Sequence, residues 1–490
     1  MKSNKKSKII SISLVVVIVV VSILVFLIPP LLTAKYDDEL IVYNWADYIE
    51  TGVISDFEAY YKEVTGRSIK VTYTNFDTNE TMLTEIIKGD SKIDIICPSE
   101  YAIEKLLRNG VLEKLDFSEV AEYDHLYIND NVNPNIREKI GAAFSGLPLP
   151  DGTTADMNDY FLPYMWGTLG ILYNTNYLTE EQVAEAGWGL LWNTTGIPDI
   201  EGKILVKDSI RDTYAAACMY LKEYELLPEQ YQNMSTEELI NNTDKELVDL
   251  VEEVLKDQKK HLKGYEVDFG KDDMVNEIAL VDLAWSGDAM YAIEESAARA
   301  ADEEPYLDYF VPEIGGNIWF DGWVMPKNAE NKFAALMFLN FLSRPDIAMR
   351  NMMEIGYTSA EDVSAFFVDD ENDPNYEYAA EALEIMLDIY EIDTDDEDEV
   401  NEFLEEFFGD IRRYPDIDND DSLGMMNDFG NRNEDIVEMW ERVKSHGETG
   451  NWAILGIIIG IIVGVAAIAA ALIAWKFYRK PKDRKVSVVG

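Results

Sequence analysis

Four hundred and ninety residues, 27% charged and 47% hydrophobic, exceed one ordinary domain and are too apolar for a disordered chain. The 93 acidic against 41 basic residues leave a formal net charge of −52, which would repel nucleic-acid phosphates and favours cationic partners. Two cysteines and three scattered histidines exclude a disulfide framework and a Cys/His zinc pattern, so no metal, cofactor or redox chemistry is expected.

Residues 1–8 carry four lysines, and Ile9 to Ile28 is apolar except for serines. Segment 9–32 therefore predicts a transmembrane helix, or an uncleaved signal anchor, of about 20 residues. A cleaved signal peptide is the competing reading, because Thr33-Ala34 fits ahead of a cleavage site, but the apolar core is longer than the usual one. Segment 452–475 predicts a second span; its Gly456, Gly460 and Gly464 have the four-residue spacing common in membrane helices. The tail 476–490 has six basic residues and one acid, so the positive-inside rule puts both termini in the cytoplasm. The expected location is the cell membrane, with an extracellular body between the spans.

That body opens with ELIVYNW as a strand, ISDFEAYYKEVTG as a helix ended by Gly66, SIKVTYTNF as a strand and NETMLTEIIKGD as a second helix ended by glycine. IDIICPSEY reads as a strand and turn, and AIEKLLRNGVLEKL as a helix. Apolar strands alternating with amphipathic helices predict a mostly parallel sheet covered on both faces. The alternation resumes at GILYNTNYL, GKILVKDS, ALVDLAWSG and NIWFDGWVMP, enough for a second lobe of the same class. A helix is predicted over Ser235 to Lys260, opened by a capping box of Ser235 and Glu238, and another over Glu377 to Tyr390. Asp393 to Asp421 reads as a helix with a solvated acidic face. Asp416, Asp418 and Asp420 resemble the start of a calcium loop, but Asp421 stands where glycine is needed and Asn427 where the closing glutamate belongs. Cys97 and Cys218 lie in apolar runs and are read as small buried side chains.

Ligands of open α/β sheets bind beyond the carboxyl ends of strands, so the residues following each strand carry the most information. Here they are Trp45-Ala46-Asp47-Tyr48, Ser99-Glu100-Tyr101, Trp285-Ser286-Gly287-Asp288 and Trp319-Phe320-Asp321. Three times a tryptophan precedes an aspartate by two or three positions. An indole face attracts an ammonium, a carboxylate gives it a charge-assisted hydrogen bond, and methylenes can lie on the same rings. The combination suits an amphiphilic cation. Each tryptophan taken singly reads as a core anchor; their recurrence at three strand ends is what sets the binding reading beside it. No nucleophile beside a histidine, Gly-rich phosphate loop or HExxH pair is present, so no catalytic residue is assigned.

The segments LIVYNWADYI, IDIICPSEYAIEKLLRNGVLEKLD, LPYMWGTLGILYN, VDLAWSGDAMYA, GGNIWFDGWVMPKNA and NFLSRPDIAMRNMMEIGYTS follow the order and spacing of the spermidine/putrescine-binding proteins of polyamine ABC importers, which this chain resembles from about Glu39 to Lys444. The resemblance implies a two-lobed periplasmic-binding-protein fold of type II with discontinuous lobes, 37–161 with 321–367 and 162–320 with 368–446. It also implies no enzymatic activity, a polyamine ligand, ABC permease subunits as partners, and no nucleic acid. Position by position, Trp45, Tyr48, Trp285, Trp319 and Tyr357 would box the methylene chain. Asp47, Asp212, Asp288 and Asp321 would pair the ammonium groups, with Ser99 and Tyr101 lining one end. Ala46, Ser209 and Met426 depart from the spermidine-preferring pattern, and Trp285-Ser286-Gly287-Asp288 is nearer the putrescine-preferring one. A binder of another organic cation, choline-like or thiamine-like, is the alternative; a surface adhesin or an enzyme on the same fold stands behind it.

Overall fold

The computed structural model describes residues 36–301, 304–417 and 422–447. The spans expected at 9–32 and 452–475 and the tails beyond them lie outside these residues. Among the described residues no helix is long and apolar enough to cross a membrane.

In the first lobe β1 (Asp38–Trp45) pairs in parallel with β2 (Ile69–Phe76) and β3 (Ile95–Ile96). Between them run α1 (Thr51–Thr65) and α2 (Asn79–Lys88), and after β3 comes α3 (Glu100–Arg108). Both α1 and α2 stop where Gly66 and Gly89 take left-handed backbone, φ 74° and 76°, which glycine adopts without a Cβ clash. Alternate β1 side chains serve opposite faces. Leu40 and Val42 join Phe57 and Phe338 on one side, and Tyr43 joins Phe76 and Leu106 on the other.

The second lobe pairs β5 (Ile204–Lys207) in parallel with β6 (Leu262–Glu266) and β7 (Val281–Trp285). α4 (Ile210–Glu223) and α5 (Ser286–Arg299) follow β5 and β7. Its core gathers Ile171, Val206, Tyr214, Leu283 and Trp440.

Two long strands join the lobes, β4 (Phe161–Asn174) and β8 (Gly316–Pro326), buried along their whole lengths. They run antiparallel from Ile318 opposite Thr168 to Val324 opposite Phe161. β8 reaches the first lobe at Val324 opposite Ile96, and β4 reaches the second from Leu169 opposite Trp285 to Tyr173 opposite Val281. The sheet order is β2-β1-β3-β8-β4-β7-β5-β6, a continuous path between the lobes.

Several expectations are corrected. The helix predicted from Ala102 onward ends at Arg108: Gly110 turns with φ 68°, and Leu112–Glu113 pairs with β8 instead. The Ser235–Lys260 helix keeps its capping box but is two helices, Thr236–Ile240 and Lys245–Gln258. Asn241 and Asn242 divide it, because their amides bond Met425 O and Asp244 N rather than staying idle on a helix face. Segment 368–446 is also divided rather than belonging wholly to the second lobe. After α6 (Pro345–Ile355), α7 (Tyr376–Ile389) and α8 (Glu397–Gly409) pack Ala382, Met386 and Phe407 on Met349 and Met352 of α6. Met426, Phe429 and then α9 (Asn433–Ser445), through Ile436, Met439 and Val443, enter the second core. Periodicity says that a helix face is buried, not which surface covers it. Tyr390 and Arg413 meet Glu294, and Arg412 meets Asp308 at 2.8 Å, so this segment touches the second lobe as well.

Candidate functional site

The carboxyl ends of six strands converge on one cleft. β1 delivers Trp45, Asp47 and Tyr48, β2 delivers Asp77 to Glu80, and β3 delivers Ser99 and Tyr101. From the second lobe, β5 delivers Lys207 to Ser209 and then Asp212, β6 delivers Glu266, Asp268 and Lys271, and β7 delivers Trp285 and Asp288. Trp319 and Asp321 come from β8, and Tyr357 follows α6. All eleven residues singled out from the sequence line this cleft, which holds about 1040 Å³ of space, part of it open to solvent.

At the first-lobe end Asp321 is buried. Tyr48 Oη donates to its Oδ2 at 2.9 Å, whereas Oδ1 has no hydrogen-bond partner among the described residues. Burial pushes the carboxyl up to about 7; the neighbouring hydroxyls of Ser99 and Tyr48 oppose the shift, and Asp212 adds to it. Around it the Tyr357 ring stands edge-on to Tyr48 and Trp319, with centroids 5.4 Å away in both cases. Asn79 Nδ2 donates to Ser99 Oγ at 3.1 Å and to Tyr101 Oη at 2.9 Å, tying α2 to this wall. Burial raises the Tyr48, Tyr101 and Tyr357 hydroxyls well above their ordinary value, so they act as neutral phenols. Glu100, also buried, is pushed to about 8; its Oε2 accepts the Phe320 N–H at 3.0 Å.

Two glycines make room for the aromatics. A Cβ on Gly287 would lie 2.2 Å from the Tyr357 ring, and one on Gly167 would lie 2.2 Å from Ser286 Oγ and 2.8 Å from Trp319 Cζ2.

The second-lobe end is occupied by the chain itself. Trp285 Nε1 donates to Asp212 Oδ1 at 3.3 Å, and burial raises the Asp212 carboxyl. Ser209, where the spermidine-preferring pattern has an acid, instead caps α4, its hydroxyl accepting the Asp212 N–H at 3.4 Å. Lys207, at 1% exposure, places Nζ 2.5 Å from Glu266, 3.4 Å from Asp288 and 4.4 Å from the Trp285 ring centroid. Lys271 Nζ lies 3.3 Å from the other Asp288 oxygen.

Sequence reasoning missed Lys207, Lys271, Glu266, Asp268, Asp77 and Glu80. Reading strand ends for aromatic–acid pairs passed over the lysine that ends GKILVK, although the strand-end rule points to it equally. Among the described residues no cluster of His, Cys, Asp and Glu is arranged to hold a metal ion. Cys97 and Cys218 are buried free thiols.

Two parallel lobes joined by long shared strands, with a cleft lined by aromatic rings and carboxylates where they meet, define a solute-binding protein. Residues 54–377 match the bacterial extracellular solute-binding proteins, and the chain belongs to that family. Such proteins deliver solutes to ABC transporters and are not enzymes. The chain is 27% identical over 328 residues to the spermidine/putrescine-binding periplasmic protein of Escherichia coli strain K12, covering 66% of this chain and 78% of that one. It is 26% identical over 325 residues to the putrescine-binding periplasmic protein PotF of the same strain, covering 65% and 77%. A solved structure assigned to a spermidine/putrescine ABC transporter of Listeria monocytogenes superposes with a TM-score of 0.59 at 27% identity, covering 83% of this chain and 98% of that one.

Proposed function

We propose that this protein captures polyamines, putrescine or spermidine, outside the cell and passes them to the permease subunits of an ABC importer, while segments 9–32 and 452–475 hold it at the membrane. The carrying observation is Asp321: a buried carboxylate oxygen without a partner, walled by Tyr48, Trp319 and Tyr357, is a site for an ammonium with a methylene tail. The relatives named for spermidine and putrescine support the same ligand class. Asp321 and Asp212 pair ligand ammonium groups, the rings enclose the chain between them, and Ser99 and Tyr101 shape the first-lobe wall. A bound cation bridges side chains of both lobes, so the ligand stabilises the closed arrangement through contacts made only there, and closure is what the permease reads. The excess of acid over base, 93 to 41, steers polycations toward the cleft. Tethering keeps the receptor close to its permease and raises its effective concentration there.

A thermal-shift panel of putrescine, cadaverine, spermidine, spermine, choline and thiamine on the full-length protein tests the ligand class. Stabilisation by at least one polyamine and by neither choline nor thiamine is expected. Stabilisation confined to choline or thiamine would transfer the site to the other cation class. Membership of the membrane fraction after carbonate extraction, with the body accessible to external protease, tests the anchoring.

A further inference from the structure

The geometry points to Lys207, supported by Lys271, as a resident ammonium that closes the Asp288 end of the cleft and limits the ligand to two ammonium groups, a diamine rather than a triamine. This rests on the polyamine reading and sharpens it. The family resemblance would make Asp288 a ligand-pairing carboxylate and Trp285 an aromatic wall. Here both are engaged by the chain. Asp288 Oδ2 has Lys207 Nζ at 3.4 Å and Oδ1 has Lys271 Nζ at 3.3 Å. The Trp285 ring has Lys207 Nζ 4.4 Å from its centroid. Lys207 also accounts for Glu266, at 2.5 Å, and donates to Val267 O at 3.3 Å. Among the described residues no ammonium pairs with Asp321, whose Oδ1 has no hydrogen-bond partner.

The consequence follows from charge in a poorly solvated space. Two ammonium groups already face Asp288, and a third, brought by a ligand, would be repelled by both while losing its own hydration. A diamine can keep its charges on Asp321 and Asp212, next to the unengaged oxygen. A triamine of greater length must push its last charge against Lys207 or out of the cleft. Lys207 is thus a specificity-determining residue: it acts through repulsion of the longer ligand as much as through attraction of the shorter one.

The test is calorimetric titration of the full-length protein with putrescine and with spermidine, in wild type, in Lys207→Met/Glu266→Gln and in Lys271→Gln. The double variant removes the Lys207–Glu266 pair together, so neither is left facing the other's vacancy, and frees Asp288 Oδ2 while Lys271 stays at Oδ1. Wild type is expected to prefer putrescine at least about tenfold, a difference of about 1.4 kcal/mol. The double variant is expected to reduce that preference at least about tenfold by gaining spermidine affinity, and Lys271→Gln to move it the same way by less. A ratio unchanged in both variants, with putrescine still bound, overturns the inference and leaves the polyamine reading intact, since a merely structural lysine would not move the ratio. Equal wild-type affinity for the two amines overturns it as well. Wild type binding neither amine sinks the polyamine reading and this inference with it, a result recognisable from the first titration alone. If the double variant has no cooperative melting transition, Lys271→Gln decides.

Discussion

The two ends of the cleft use the same residue types, an aspartate two or three positions after a tryptophan, and do opposite things with them. At one end Asp321 is buried with an unpartnered oxygen and shares its surroundings with neutral phenols. At the other, Asp288 has an ammonium at each oxygen, supplied by Lys207 from a strand end 81 residues away and by Lys271. A motif of aromatic and acid therefore does not by itself say whether the chain's own lysines already occupy it. That is decided by the neighbouring strand end.

The sharpest way to break the comparison is a pair of neutralising substitutions. Asp321→Asn is expected to weaken putrescine binding by about 2–5 kcal/mol, the range for truncating one partner of a buried charged pair, without lowering the melting temperature of the free protein. Asp288→Asn is expected to do the reverse: a loss of binding of at most about 1 kcal/mol, but a clear drop in melting temperature, because Lys207 and Lys271 lose a partner in a buried network. Calorimetry and scanning calorimetry on the two variants check this, and equal binding losses would erase the distinction.

Acidity comes next. A ligand ammonium needs the Asp321 carboxylate, which takes up a proton near pH 7, so affinity should fall up to about tenfold for each pH unit below 7 and level off above about 8. For the free protein the sign is opposite. The folded carboxyl sits at about 7 against an ordinary 3.8, so its contribution to stability is full below about 4 and is lost as pH rises through 7. Glu100, at about 8, acts in the same direction. The ligand-free melting temperature should decline from pH 5 to pH 8, and saturating putrescine should narrow that decline. A pH-independent affinity in Asp321→Asn would tie the effect to this group.

Smaller effects sharpen the picture. Gly287→Ala puts a methyl 2.2 Å from the Tyr357 ring, and moving that ring should weaken binding by about 1–3 kcal/mol, the scale of overpacking. Stopped-flow association rates should fall as salt rises from 20 to about 300 mM while the equilibrium preference among amines changes little, because steering acts over a Debye length and selectivity acts in contact. A selectivity order that inverted with salt would argue against contact recognition.

Much of the site was legible because the carboxyl ends of strands are where open α/β sheets place their ligands, and strands are short apolar runs with visible ends. Trp45, Ser99, Trp285 and Trp319 were found that way, and they line one cleft. Lys207 was equally visible, one residue from the end of an apolar run, yet its meaning was not, because a lone lysine in sequence is usually a solvated charge and this one is buried beside Trp285. The division of 368–446 was illegible for a different reason: the faces of α7 and α8 are amphipathic in sequence, but the methionines of α6 that receive them lie far upstream.

By itself the sequence determined the class of architecture and the vocabulary of rings and carboxylates, since composition and period-two or period-3.6 patterns are local quantities that a chain carries without folding. Only the tertiary structure decided which carboxylates remain open. Availability is a property of pairs, and the partners of Asp288 and Asp321 are brought to them by long strands and crossovers whose register no local pattern records.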